Sequence, residues 1–414
     1  MNLTAQSIPG KWRRIQLLWD SAPPGTTGYE LLRDGVLWSR PGLAARGFGG
    51  YDYSIPGELY RWTLTALPSG EMVSIPYRAP AWHASPNVGT RRQDAYFFVF
   101  PDSEFSIPFD MGFGQKVLDE ARALLYRDSE GKYRLDGTAF GWITMPLPID
   151  QYCKSKAASG LWLYPDIWKC RLDGLAAARA AGYTPGETNW MVFNGVAASG
   201  YGWFLGATAS NGYQNAGATL LAHEEGHALG LQHAASLTTR STNMGPSTIG
   251  DVPVDLMQPI NPVQGAGISG YGDGNSFMGG GERFTTLERA LNGWIDPLRS
   301  RYVSTSGRYA LYEARTPRFR AIEIRIPLTD PRIGNGWFYS FEYDASRGGA
   351  NVRIHQGHVL NGAWGYQMES YAVNMWQPIR PGGDIFHDPY RGITVQATTM
   401  SPQRITLEVS IDSP

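Results

Sequence analysis

Residues 222–234 read Ala-His-Glu-Glu-Gly-His-Ala-Leu-Gly-Leu-Gln-His-Ala, and this stretch decides how the rest of the chain is interpreted. It contains the pattern His-Glu-x-x-His-x-x-Gly-x-x-His. His223 and His227 are four positions apart, so on a helix their imidazole rings lie on one face and can share a bound ion. Gly230 can adopt a positive φ, which ends a helix and turns the chain back, so that His233 approaches the same point.

Three converging imidazoles indicate a zinc site of the catalytic kind. Catalytic zinc has three protein ligands and keeps a fourth position for water or substrate, whereas structural zinc is closed by four protein ligands. Glu224 is rotated by about 100° from His223 around the helix, so its carboxylate suits a general base better than a ligand. The sequence therefore predicts His223, His227 and His233 as zinc ligands and Glu224 as the catalytic residue.

The length of the pattern matters for this prediction. A lone His-Glu-x-x-His segment is weak evidence, because it occurs in many proteins that are not enzymes. The eleven-residue form, with Gly230 and His233 in place, favours the metal site over an interpretation without metal.

A downstream segment adds to the pattern: residues 271–279 read Tyr-Gly-Asp-Gly-Asn-Ser-Phe-Met-Gly. Together the two segments resemble the metzincin metallopeptidases, which combine this zinc motif with a methionine turn beneath the ligands. The form of the turn, with Gly-Leu-x-His-Ala around His233 and Leu-Asn-Gly-Trp-Ile at 291–295, is closest to the gametolysin-like branch. The resemblance implies a zincin fold over roughly residues 92–300, Met278 in the turn, and cleavage of proteins, including extracellular matrix and wall proteins.

The chain also departs from parts of the metzincin family. Astacin-like and serralysin-like members carry a tyrosine two residues after the methionine as an extra ligand, whereas this chain has Gly280. Oxyanion stabilisation must then come from another group, and latency through a zinc-bound cysteine finds no support in the sequence. By analogy with the family, Trp203–Ala207 is a candidate edge strand for aligning substrate, with an interior strand as an equal alternative.

The first residues carry a different pattern, typical of half-buried strands in which apolar residues recur at every second position. Three segments, 18–20, 28–35 and 56–66, resemble a fibronectin type III domain: a core Trp, a Tyr-x-x-x-Arg-Asp-Gly hairpin and a Pro-Gly-x-x-Tyr corner. The resemblance implies a β-sandwich that spaces or binds without chemistry of its own. The alternating apolar residues are Ile15, Leu17 and Trp19, then Tyr60, Trp62, Leu64 and Ala66.

Strand and helix patterns alternate in the middle of the chain, and strands return beyond about residue 300. The predicted fold class is multidomain: an α+β zincin, metzincin-like catalytic domain at 79–300, flanked by an N-terminal β-sandwich at 1–78 and a β-rich C-terminal domain at 301–414. The predicted helices are 114–126, 167–181 with Gly182 at its end, and 218–229; the predicted strands include 95–100, 189–194 and the alternating isoleucines Ile322, Ile324 and Ile326.

The net charge and the hydropathy pattern argue against a protein that binds nucleic acid, binds an anionic membrane surface or spans a membrane. The net charge is −1, with no basic run, so nucleic acid and anionic membrane surfaces are not expected partners. No apolar run approaches the roughly 18 residues of a spanning helix. The N-terminus lacks the features of a signal peptide, so the chain is either cytoplasmic or begins after a removed leader. Because enzymes of the resembling class usually work outside cells, we expect a secreted or cell-surface protein; the oligomeric state stays open.

Two side issues concern cysteines and calcium. Cys153 and Cys170 are expected to form a disulfide, mainly because the resembling class is usually extracellular; two inert buried thiols are the alternative.

Asp273 and Asn275 carry oxygen atoms that could contact calcium, but no full ligand loop surrounds them, so loop capping is preferred.

Two functions follow. The first is a zinc-dependent endopeptidase that acts on protein or peptide substrates. The second is a surface adhesion or binding protein that retains a metallopeptidase scaffold, because about half of the chain lies outside the predicted catalytic region. The intact catalytic positions favour the endopeptidase.

Overall fold

In the computed structural model the chain is multidomain and strand-rich, with four α-helices in its described part. It divides into two compact units, Asn87–Leu231 and Met1–Pro86 with Gln232–Pro414. None of the described helices has the length and apolar character to cross a membrane. The structure describes residues 1–7, 14–20, 23–33, 36–51, 59–78, 87–102, 110–186, 188–196, 199–203, 206–210, 217–229, 231, 233–238, 248–249, 267–269, 273–296, 299–314, 316, 321–327, 337–356, 371–373, 378–382, 385–388 and 392–412.

The N-terminal segment forms two antiparallel sheets, in the orders β1-β2-β5 and β4-β3-β6-β7. Their inner faces share one apolar core, in which the rings of Trp19 and Tyr29 meet edge to face with centroids 5.5 Å apart. The predicted period-two burial is confirmed for Trp62 and Leu64. The strands are β1 Leu3–Ser7, β2 Arg14–Trp19, β3 Gly28–Arg33, β4 Val36–Ser39, β5 Gly47–Tyr51, β6 Leu59–Leu67 and β7 Met72–Arg78.

The unit Asn87–Leu231 is built on a five-stranded sheet in the order β11-β9-β14-β16-β15. Its strands pair in parallel except β15, which runs antiparallel to β16 at the edge. The elements are β8 Gly89–Arg92, β9 Asp94–Val99, α1 Met111–Asp128, β10 Tyr133–Asp136, β11 Ala139–Thr144, β12 Cys153–Lys156, β13 Trp162–Pro165, α2 Ile167–Ala180, β14 Asn189–Phe193, β15 Ser199–Trp203, β16 Gly206–Ser210 and α3 Ala218–Ala228.

Both faces of this sheet are covered by helices. Because side chains alternate along a strand, Phe97 of β9 packs with α1 and α3, whereas Tyr96 and Phe98 join the core on the α2 side. The three predicted helices are confirmed to within a few residues, and Gly182, with φ of +87°, follows the end of α2 as expected.

The C-terminal segment forms a second pair of sheets, in the orders β19-β17-β25-β24-β23-β22-β20 and β18-β26-β27-β28-β21, around one core. Glu323 and Arg325, which lie between the predicted isoleucines on β22, are also buried. They form an ion pair of 2.9 Å, so each buried charge has a partner. The elements are β17 Ala235–Thr238, β18 Thr248–Ile249, β19 Gly267–Ser269, α4 Thr286–Leu291, β20 Ser300–Tyr302, β21 Gly307–Tyr312, β22 Glu323–Pro327, β23 Trp337–Asp344, β24 Gly349–Gln356, β25 Tyr371–Val373, β26 Ile385–Asp388, β27 Ile393–Ser401 and β28 Arg404–Ile411.

The strand that follows His233 belongs to this C-terminal pair of sheets. β17 pairs with β25 in parallel and with β19 antiparallel. One sheet thus contains residues from both sides of the predicted boundary at 300/301. The two predicted domain boundaries, 78/79 and 300/301, stay predictions.

The expected disulfide is absent. Cys153 and Cys170 are free, buried thiols in one apolar cluster, so the alternative of two buried thiols is the correct one. Burial raises the pKa of Cys153 to about 11 and that of Cys170 to about 12. The reactive thiolate is therefore scarce at neutral pH.

We expect both cysteines to react slowly with a maleimide in the native protein, because the thiols are buried and protonated. In denaturant without reductant, two thiols per chain should react rapidly. Mass spectrometry of the labelled chain measures both states. A denatured, unreduced chain that takes no label would show that the bridge exists.

Candidate metal centre

Helix α3 carries the first two histidines and is fixed against the sheet by its apolar residues. Leu221 is fully buried and packs with Phe97 and Trp190. At the other end, the Leu231 N–H donates to the Gly226 carbonyl at 2.9 Å, the bond that closes a Schellman-type helix ending. Gly230, predicted to end the helix, lies outside the described residues.

The structure brings the three predicted ligands together. The ligand atoms of His223, His227 and His233 all lie within 4.8 Å of one another. The rings of His223 and His227 are nearly perpendicular, with centroids 4.8 Å apart. Zinc–nitrogen bonds are about 2.0–2.1 Å long, so ligand atoms this close together are compatible with a single bound ion.

The tautomer of His227 is set by its backbone partner. Its Nδ1 lies 2.9 Å from the Leu231 carbonyl oxygen, which can only accept, so Nδ1 carries the proton. This leaves Nε2 with its lone pair for a cation. Metal-binding histidines are commonly oriented in this way, by donating the other ring N–H to a carbonyl.

Glu224 is buried beside the histidines in sequence, with only 1% of its surface exposed. Within the described part of the chain, its Oε2 has no hydrogen-bond partner. Burial raises the pKa of this carboxyl to about 8. A buried carboxyl oxygen without a partner is costly, and a water molecule or cation at the site would satisfy it.

These residues fit a zinc ion. The donors are neutral nitrogens, which zinc accepts, and they number three, which leaves one position for water. The cluster also contains no carboxylate ligand, so it suits zinc better than calcium or magnesium, which prefer oxygen. His223, His227 and His233 would hold the ion.

The predicted methionine turn forms a short 3-10 helix over Phe277–Gly279, with Met278 fully buried. The Met278 carbonyl accepts a hydrogen bond of 2.9 Å from the N–H of Ala234, the residue after His233. Gly280 has φ of +101°, a conformation that the tyrosine found there in some metzincins would adopt only with strain. Tyr271 and Gly272 lie outside the described residues.

Asp273 caps the loop that precedes this 3-10 helix, as the sequence predicts. Its Oδ1 accepts a hydrogen bond of 3.0 Å from the Asn275 N–H, and its Oδ2 pairs with Arg353 at 2.7 Å. The charge of Asp273 is therefore offset by an arginine. Among the described residues, the histidine cluster is the one group of three or more His, Cys, Asp or Glu side chains that could hold a metal ion.

Sequence reasoning missed Glu225, which anchors α3 from its buried side. Its carboxylate pairs with Arg91 of β8 at 3.3 Å and accepts a hydrogen bond from the Tyr133 hydroxyl of β10. Burial raises the pKa of Glu225, and Arg91 opposes this shift. An acidic residue between buried neighbours on a helix could have indicated a buried ion pair. The sequence could not name the partners of Glu225, because they are more than 90 residues away.

Arg91→Met is expected to destabilise the protein by roughly 3 kcal/mol, because it leaves the buried Glu225 carboxylate without its cation. Denaturant unfolding followed by fluorescence measures the free energy. Arg134→Met is the matched control: Arg134 lies on the paired strand β10, and its ion pair with Asp136 is exposed. Equal stability of the two variants would contradict the role of Arg91.

The predicted strand over Trp203–Ala207 is wrong in its bounds. β15 ends at Trp203 and β16 begins at Gly206, so this segment joins two strands of a hairpin. β15 is nevertheless the sheet edge, and it lies beside α3 in the same unit. The segment was placed by analogy with a family, and an analogy does not reveal where a strand of this chain turns back.

Comparison with known proteins gives little. No protein-family model matches this chain, and a comparison with curated proteins finds no match. Among solved structures, the chain is similar to the Clostridium perfringens spore cortex lytic enzyme SleM, with 16% identity and a TM-score of 0.16. The match covers 19% of this chain and 26% of that enzyme. A likeness of this size carries no argument about fold or function.

Proposed function

We propose that the protein is a zinc-dependent endopeptidase of the metzincin type, closest to the gametolysin-like branch. One observation carries the proposal. The ligand atoms of three histidines converge within 4.8 Å, and helix α3, which holds two of them, also carries the buried Glu224, whose Oε2 has no hydrogen-bond partner among the described residues. A site built only for structure would close its fourth position with a protein ligand.

The chemistry divides between the ion and the chain. A zinc ion held by the three histidines would supply Lewis-acid activation of water and of the substrate carbonyl. Glu224 accepts a proton at a carboxylate oxygen as the water oxygen forms a bond to the peptide carbonyl carbon. The C–N bond then breaks, and the same carboxyl delivers that proton to the leaving amine nitrogen.

The substrate class we propose is an extended polypeptide. β15 is an antiparallel sheet edge beside α3, and a sheet edge can pair with the backbone of an extended peptide. Pairing through backbone atoms favours unfolded or flexible protein segments, with matrix or wall proteins as candidate substrates. A secreted or cell-surface location belongs to the same proposal.

The test combines metal content with cleavage. The purified chain is expected to bind one zinc ion, and a chelator should remove it together with cleavage of a denatured protein substrate. Added zinc should restore both. A proteome-derived peptide library, digested with and without the chelator and read by mass spectrometry, also reports the bonds that are cleaved.

Two results would overturn the endopeptidase. A chain that binds no zinc would remove the metal site. A chain fully loaded with zinc that cleaves nothing in the library would favour the second function, a binding protein with a retained metallopeptidase scaffold.

A further inference from the structure

We propose that Arg353, on β24 of the C-terminal sheets, is a positioning residue for the third metal ligand, His233. The inference rests on the proposed zinc site and assigns a role to a part of the chain that the catalytic motif does not include. It links the ligand to the sheet through the methionine turn and Asp273.

The first link is the backbone next to His233. The N–H of Ala234 donates to the Met278 carbonyl at 2.9 Å, and the carbonyl of Ala234 accepts from the Asp273 N–H at 3.2 Å. Ala234 is thus held on both sides by the turn. Because Ala234 directly follows His233, these two bonds restrict the direction in which the His233 side chain leaves the backbone.

The second link is the close packing of the turn. A Cβ added at Gly279 would lie 2.5 Å from the Asp273 carbonyl oxygen and 2.6 Å from that of Ala234. Such distances leave no space between these backbones. A displacement of Asp273 would therefore move Ala234, because tightly packed backbones do not deform independently.

The third link is the charge of Asp273. Its side chain is fully buried, and Oδ2 accepts a hydrogen bond of 2.7 Å from Arg353 Nε. Arg353 lies 80 residues further along the chain. Loss of the Arg353 cation would leave the buried Asp273 carboxylate without its ion pair. The turn would then shift so that this carboxylate reaches water, because an unpaired buried charge is costly.

Arg353 is itself fixed in place. Its Nη1 donates to Glu342 of β23 at 3.3 Å, and Glu342 also accepts hydrogen bonds of 3.0 Å from Arg283 and from the Thr286 N–H. Only a guanidinium can contact both Asp273 and Glu342 in this way, since its donors point in fixed, different directions. A lysine would keep the charge and lose this geometry.

The experiment measures zinc affinity by chelator competition on the full chain. We expect Arg353→Lys and Asp273→Asn each to weaken zinc binding by about 10–100-fold, the range seen when a group that orients a ligand is lost. Arg325→Lys is the matched control, because Arg325 is equally buried and ion-paired on β22 of the same sheet. Its zinc affinity should equal that of the parent.

A double-mutant cycle separates positioning from general destabilisation. In a His233→Ala background no third ligand remains to be positioned, so Arg353→Lys should cause no further loss of zinc affinity. The Asp273→Asn cycle answers the same question if Arg353→Lys fails to fold. Parent-like affinity in the single variants, or an equal loss in the His233→Ala background, would overturn the inference while the zinc site stands. A parent chain that binds no zinc would overturn the proposed function itself, and this inference with it.

Discussion

Glu224→Gln is expected to lower the rate of peptide hydrolysis by about 10²–10⁴-fold, the usual contribution of a general base. Glutamine has the size of glutamate and is neutral, as the buried carboxyl is when protonated, so the helix should keep its packing. It has no basic oxygen that can take the proton of the attacking water. Zinc content should stay at the parental level, because Glu224 is not one of the clustered ligand residues.

The measurement pairs initial rates on a quenched fluorescent protein substrate with metal analysis of the same samples. Glu120→Gln on α1 serves as the control, because the Glu120 side chain is 55% exposed and pairs only weakly with Lys116 across 3.9 Å. It should hydrolyse substrate at the parental rate. A fully active Glu224→Gln variant would show that the proton is moved by another group.

His227→Ala is expected to weaken zinc binding by more than about 100-fold, since even the loss of a group that only orients a ligand costs 10–100-fold. Hydrolysis should be lost with the metal. Zinc should also no longer raise the melting temperature of the variant, because a ligand stabilises the fold only through its affinity for the folded state.

His387→Ala provides the matched histidine control. His387 lies on β26, with Nδ1 3.0 Å from the Thr394 hydroxyl, and is not a member of the metal cluster. Its variant should bind zinc and show the same zinc-dependent rise in melting temperature as the parent. If His227→Ala also keeps that rise, the three histidines do not form the metal site.

Features set by short-range periodicity were predictable from sequence. The spacing of His223 and His227 on a helix, the apolar face of α1 and the end of α2 before Gly182 all depend on residues within a few turns of each other. The structure also brings His233 to the other two histidines, as the eleven-residue pattern predicts. Identity of the ion and the reaction stay predictions, because they depend on chemistry that geometry alone does not test.

Features set by distant pairing were not predictable. Arg91 and Glu225 are 134 positions apart, and Asp273 and Arg353 are 80 apart. Each of these residues by itself resembles an ordinary surface charge, and only the fold shows that it is buried with a partner. An alignment of related sequences would be needed to detect such pairs before the structure.

The disulfide was wrong for a different reason. The prediction of a disulfide rests on the usual extracellular location of an enzyme class and not on the surroundings of Cys153 and Cys170. Both residues lie in a well-packed apolar cluster, where a thiol behaves as a small hydrophobic side chain. Spacing between two cysteines cannot distinguish this environment from a bridge.

The pairing of β17 with β25 has a consequence for the order in which the protein matures. β17 begins two residues after His233, yet its parallel partner, residues 371–373, is synthesised much later. While the ribosome is still adding those residues, the stretch after the third histidine has no neighbour on that side. Any hydrolytic capacity that depends on His233 would thus arise only after residues 371–373 have been synthesised, and a shorter nascent chain would be harmless to the polypeptides around it.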